Sequence, residues 1–236
     1  MDARMHKGHP GASATTSGPR ADVAEEDRLR AAAWRLLAGI LSRPPDSERL
    51  SRLASLKGDD TAFGRAISAL AAAAASTTPE EAGREYHDLF IGVTRGEVLP
   101  FASYYLTGFL NEKPLARLRE DMARLGIAAN PDEPDPEDHV ASLCDMMAGL
   151  ILGEFGAPAC PSVAREFFEK HLDGWVDVFF RDLEQAPSAR LYAPVGAAGL
   201  ALVKIERQLM AMEQAAAEER ALADMETPAQ EREERQ

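Results

Sequence analysis

The chain has 236 residues, 45% of them hydrophobic, which is enough to build a core without a metal or disulfide staple. Its 26 basic residues against 39 acidic ones leave a net charge of −13, a balance that disfavours nucleic acid or an anionic membrane and suits a basic partner. Cys144 and Cys160 have no His or second Cys at ligand spacing, so they read as free thiols in a reducing cytoplasm rather than as parts of a structural zinc site.

Residues 1–23 hold Gly, Ser, Thr and Pro without the continuous apolar stretch of a secretory signal, and read as a disordered lead-in. Leu29, Ala33, Leu36, Leu37, Ile40 and Leu41 then follow the helical period until Pro44-Pro45 stops it. A second helix carries Leu50, Leu53 and Leu56, and a third carries Phe63, Ile67, Leu70 and Ala74. Thr78-Pro79-Glu80-Glu81 has a capping Thr, a Pro at the first helical position and a Glu three residues after the cap, which predicts a helix from Pro79 to about Ile91. Pro114 opens another, ended by Gly126. The segment Asn130–Asp138, NPDEPDPED, has three prolines and five carboxylates, and Pro136 is placed as the first residue of a helix capped by Asp135. Pro161 opens a further helix, the period continues through Trp175 to Leu183, and a last helix spans about Ser188 to Met212. No strand pattern is present. Residues 24–212 therefore read as one all-α domain, a single helical bundle, followed by an acidic, partly disordered tail over 213–236. Leu191–Val203, interrupted by Pro194, is too short to span a bilayer, so no stable membrane insertion is expected.

The stretch Arg84–Phe109 concentrates aromatic residues around a Gly-containing loop. Tyr86, Leu89 and Phe90 share one helical face, and Tyr104 and Tyr105 follow Pro100. An aromatic cluster at such a junction points to a surface that receives something apolar, although spacing alone favours an ordinary corner of the core. Near it lie His87, Asp88, Asp138 and His139. Asp135, Glu137 and Asp138 suit the positive end of a helix, whereas His139 does not, because the helix dipole disfavours a cationic ring there. No P-loop, nucleophile elbow or metal-ligand spacing is present. A metal- or nucleotide-dependent hydrolase would rest on Asp138 and His139 alone, and a helical scaffold without a groove is the third alternative.

The segments EYHDLFIG, LPFASYYLTGF, EPDPEDHVASL and EFFEKHLDGW, in that order, resemble the TorD/DmsD family of chaperones for molybdoenzymes over about Leu29 to Met212. The resemblance implies an all-helical, TorD-like bundle in the cytoplasm, with no active site and no cofactor of its own. It also implies a partner, a molybdoenzyme precursor whose twin-arginine signal peptide is held back from export until its molybdenum cofactor is loaded. PFASYYLTGFL followed by PLARLR resembles the branch associated with formate dehydrogenases. The family's functional Asp-His pair falls on Asp138 and His139. Its Glu-Pro step falls on Glu133-Pro134 or on Asp135-Pro136, with Asp135 replacing a family Glu in the second alignment. The implied peptide-binding set is Tyr86, Leu89, Phe90, Tyr104, Tyr105, Glu133, Asp135, Glu137, Asp138 and His139. Some relatives bind guanine nucleotide or exchange domains, and the Pro-rich connection at 130–138 would serve as the hinge of such a homodimer.

Overall fold

The computed structural model describes residues 23–130, 134–155 and 159–226. Ten α-helices follow one another: α1 Glu25–Ser42, α2 Ser47–Ala54, α3 Ala62–Ala75, α4 Pro79–Tyr86, α5 Ala102–Thr107, α6 Lys113–Leu125, α7 Val140–Leu152, α8 Pro161–His171, α9 Val176–Gln185 and α10 Ala193–Glu226. Among the described residues there is no strand, only an isolated antiparallel bridge between Phe101 and His139. The predicted all-α architecture is the one observed, and no described helix is long and apolar enough to cross a membrane. The lead-in at 1–22 and the end of the tail at 227–236 lie outside the described residues.

Helix ends follow local chemistry. Thr78 and Glu81 form the reciprocal capping box that starts α4, and Gly126, at φ 74°, closes α6 in the left-handed conformation open to glycine. Helix α4 does not continue as α-helix to Ile91. Residues His87–Ile91 widen into a π turn, closed by a 2.7 Å bond from the Gly92 N–H to the His87 carbonyl. Gly92 has φ 62°, and a Cβ there would lie 2.1 Å from the Arg95 carbonyl oxygen, so the fold-back after the π turn requires glycine.

Two other expectations are corrected. The helix placed at Pro136 begins at Val140, and its cap is His139 rather than Asp135: His139 Nδ1 accepts the Ala141 N–H at 3.1 Å. The period that ends the last helix near Met212 stops short of its true end. Helix α10 runs on to Glu226 because Ala211–Glu226 is dense in Ala, Glu, Met and Leu, strong helix formers that need no buried face.

The core is assembled by α1 against α7, with α10 packed against α9 and α3. Trp34, Trp175, Tyr192, Phe168, Phe179 and Phe180 are its largest fully buried side chains. Helices α9 and α10 approach closely at Gly199, where a Cβ would fall 2.3 Å from the Phe180 ring. Two carboxylates tie distant segments together inside the fold. Glu206 on α10 takes Arg30 Nε at 3.1 Å and Trp34 Nε1 at 3.0 Å on one oxygen, and Arg30 Nη2 at 2.7 Å on the other. Glu85 on α4 accepts the backbone N–H groups of Arg190, Leu191 and Tyr192 at 2.7, 3.1 and 2.8 Å, which fixes the entry of the chain into α10.

Candidate functional site

The DPEDH segment is held by LPFAS. The Ala102 N–H donates to the Asp138 carbonyl at 3.0 Å, and the Val140 N–H donates to the Pro100 carbonyl at 2.8 Å. Asp138 adds a side-chain bond, its Oδ2 accepting the Ser103 N–H at 2.8 Å. Helix α5 supplies no cap of its own, so a carboxylate from 35 positions away in sequence satisfies one of its orphan donors. The Phe101 and His139 rings meet edge-on at 5.2 Å.

This tie places two sequence neighbours on opposite sides of a wall. His139 lines a cavity of about 590 Å³ bordered by Arg35, Arg119, Met122, Asp135, Glu137 and Asp145, and floored by Ala141, Met146 and Phe155. Asp138 lines a different cavity of about 400 Å³, bordered by Leu106, Arg117, Glu120, Asp121, Lys170 and His171, with Leu118 and Leu143. The chain leaves the Pro136–His139 turn, closed by the His139 N–H on the Pro136 carbonyl at 3.0 Å, through an extended His139 at φ −62° and ψ 136°, and this change of direction sends the two side chains to different cavities.

Charges in the larger cavity are mostly paired. Glu137 meets Arg119 at 2.7 Å, and that bond holds the Glu137 carboxyl below the usual range for a glutamate. Asp145 lies 3.6 Å from Arg35, which also pairs with Glu154. Asp135 has no ion pair among the described residues. Its charge acts on His139, whose imidazole is 4% exposed and is held below its ordinary pKa by burial, against the opposing pull of Asp135 and Asp138. Because Nδ1 accepts a backbone N–H, the neutral ring carries its proton on Nε2.

The smaller cavity holds a different arrangement. Asp121 accepts from, or shares a proton with, His171 Nε2 at 2.9 Å, and also meets Arg124 at 2.9 Å and Lys170 at 3.7 Å, so α6 and α8 are clamped together. Burial keeps His171 below its usual pKa. Asp138 is 1% exposed, and among the described residues its Oδ1 has no hydrogen-bond partner; neither has the buried Oγ of Ser103. Asp138 and His139 thus open onto separate cavities and are not hydrogen-bonded to each other, unlike the paired acid and base that a hydrolase would need. Among the described residues no group of three or more His, Cys, Asp or Glu is gathered as a metal site.

The aromatic residues singled out by sequence divide as well. Leu89 is fully buried, Phe90 is 9% exposed, and half-buried Tyr86 stacks edge-on with Phe90 at 4.9 Å; Tyr192 completes this group. Tyr86 also directs its hydroxyl toward the Leu41 and Ser42 carbonyls at the end of α1. Tyr104 and Tyr105 belong to another group, half-buried beside Trp175 and Phe179. The Tyr105 phenol donates to Asp182 at 2.9 Å, and burial pushes its pKa well above the usual value. Arg95 lies 4.8 Å over the Tyr104 ring and also reaches its hydroxyl. Beyond them Leu106, Phe109 and Leu110 are bare, with Phe109 70% exposed. Glu133 lies outside the described residues.

Sequence reasoning missed Arg119, Asp121, His171 and the Phe109-Leu110 step. The last had a signal, since two large apolar residues before the polar turn Asn111-Glu112 have no place in an amphipathic face. The others sit on predicted helices as ordinary charged positions, and only the packing of α6 against α8 and against the Pro136–His139 segment gives them a role.

The LPFAS and DPEDH segments thus meet between two polar cavities of an all-helical bundle that also carries an exposed apolar edge. A family model described as nitrate reductase delta subunit matches residues 56–181, from the end of α2 through most of α9, more than half of the chain and all of both aromatic groups except Tyr192. The chain belongs to that family, in which the TorD chaperones fall. It is 31% identical over 141 residues to a chaperone protein TorD of Vibrio atlanticus, covering 56% of this chain and 66% of the relative. A chaperone protein TorD of Vibrio cholerae is 30% identical over 137 residues, covering 55% and 62%. The chain thus spans less than two thirds of the length of these relatives. A crystal structure described as a redox enzyme maturation protein of Archaeoglobus fulgidus has the same fold, with a TM-score of 0.53 at 19% identity over 75% of this chain and 94% of that one.

Proposed function

We propose that this chain is a maturation chaperone that receives the twin-arginine leader of a molybdoenzyme precursor in the cytoplasm, delays its export until the molybdenum cofactor is loaded, and catalyses no reaction itself. Asp135 carries this reading. It is the carboxylate of the larger cavity that lacks a cation of its own, it sits beside a neutral histidine, and the net charge of −13 gives any basic leader a favourable approach. The half-exposed Tyr104 and Tyr105, continued by Leu106, Phe109 and Leu110, supply the apolar seat for the uncharged part of a leader. Leu89 and Phe90 stay in the core, Phe90 against Tyr86 and Tyr192, while Glu137 serves by fixing Arg119. PFASYYLTGFL and PLARLR favour a formate dehydrogenase as the client, and a homodimer is carried over from the family.

Isothermal titration with the client leader tests the reading. Tyr104→Ala is expected to weaken binding at every salt concentration, whereas Asp135→Asn weakens it chiefly at low salt, where screening is least. A leader with both arginines changed to Gln keeps the tyrosine dependence and loses the salt dependence. Indifference of binding to Tyr104→Ala under all conditions would remove the apolar seat from this surface. Recovery of a formate dehydrogenase precursor with the tagged chain checks the client, and light scattering of the purified chain checks the dimer.

A further inference from the structure

Buried carboxylates with an empty oxygen are rare, because an unpaired buried charge is costly. In this molecule the empty oxygen is Asp138 Oδ1, on a residue 1% exposed that lines the smaller cavity. The opposing groups there leave room for one more cation. Asp121 is already engaged by His171, Arg124 and Lys170, and Lys170 is tied to Glu166 at 2.7 Å. Arg117 and Glu120, one helical turn apart on exposed α6 positions, offset each other at the rim. Leu106, Leu118 and Leu143 give an aliphatic wall, suited to the methylene stem of a long basic side chain. Asp138 therefore faces a seat with an apolar channel and a single unmatched acceptor.

The larger cavity repeats the theme one residue further along the chain, with Asp135 unpaired beside His139. The two seats are separated by the tight turn Pro136–His139, closed by the His139 N–H on the Pro136 carbonyl at 3.0 Å and pinned by the Phe101–His139 bridge. Two consecutive residues of an extended peptide send their side chains to opposite faces. We propose that the two cavities are separate seats for the two consecutive arginines of the leader, one guanidinium going to Asp135 in the larger cavity and the other to Asp138 in the smaller. This rests on the chaperone reading above and goes further, because it makes the requirement for a pair of arginines a property of the wall between the cavities. A single acidic patch would reward total charge. Two divided seats reward adjacency.

The test is a cycle of leader peptides carrying Arg-Arg, Gln-Arg, Arg-Gln and Gln-Gln, titrated calorimetrically into wild type, Asp135→Asn and Asp138→Asn. Each single Gln is expected to weaken wild-type binding about tenfold. In Asp135→Asn one of those losses shrinks below about threefold while the other persists, and in Asp138→Asn the roles are exchanged. Asn keeps an acceptor for the Ser103 N–H, and thermal melts monitor the fold. Leu106→Trp, which narrows the smaller cavity from its rim and leaves Asp138 in place, is expected to reproduce the Asp138→Asn pattern. If both Asn variants lose sensitivity to the same arginine, or if Asp138→Asn and Leu106→Trp both retain full sensitivity to each arginine, the divided seats are wrong while the chaperone reading stands. If the Arg-Arg peptide does not bind wild type at all, both are overturned.

Discussion

Glu206 and Asp138 are both buried carboxylates, and the fold treats them in opposite ways. Glu206 has both oxygens occupied by Arg30 and Trp34, and Glu85, the other acid that ties distant segments, accepts three backbone N–H groups. Asp138 has one oxygen on the Ser103 N–H and the other on nothing. The first arrangement spends every acceptor on the fold itself. The second leaves one over, and it does so at a cavity. Saturation therefore separates the acids that hold this protein together from the one proposed above to receive a leader arginine.

The largest effect is expected at the saturated carboxylate. Glu206→Ala leaves the Trp34 N–H and the Nε and Nη2 of Arg30 without an acceptor, with only Asp27 still on Arg30 Nη1 at 2.5 Å, and removing one partner of a buried pair costs about 3–5 kcal/mol. Urea denaturation is expected to show that loss, and an unchanged midpoint would mean that water replaces the carboxylate freely. A smaller effect is expected with pH. Burial holds His139 below its unfolded pKa, so on acidification the unfolded chain takes up the proton first. The stability that neutral His139 contributes is complete above pH ~6.5 and declines as pH falls through its depressed folded value. His171, depressed for the same reason, adds to the same window. Melting temperatures from pH 7.5 to 5 are expected to fall less steeply in His139→Gln than in wild type. The smallest change sharpens the other side of the comparison. Asp138→Asn, which preserves the cap on Ser103, is expected to alter unfolding free energy by less than about 1 kcal/mol. A larger loss in the urea midpoint would show that the unfilled oxygen is needed for folding.

Helix chemistry was open to inspection in the sequence wherever it was local. The capping box at Thr78–Glu81, the glycine stop at Gly126 and the Pro161 start all depend on neighbours within four positions, and all stand as predicted. Asp135 failed as a cap because the backbone of Asp138 and Val140 is claimed by Pro100 and Ala102, a contact from nearly forty positions away that outweighs the local signal. The π turn at His87–Ile91 was invisible for another reason. The extra residue comes in the last turn, so no apolar position follows it in the helix to record the shift of phase. At the site, the sequence pointed to the aromatic run and to DPEDH, and the structure brings DPEDH against LPFAS. The division was not: Leu89 and Phe90 turn into the core, Tyr104 and Tyr105 reach the surface, and Asp138 and His139 part company, all according to tertiary contacts that no spacing encodes.

Phe109 and Leu110 are bare on a chain whose net charge is −13. These two properties act over different distances. Charge repulsion between copies reaches about 10 Å in 0.1 M salt and shrinks to about 3 Å in 1 M, while the apolar attraction needs contact and is not screened. Charge repulsion at this edge is thus strongest in dilute salt, and raising the salt is expected to favour association through Phe109 and Leu110.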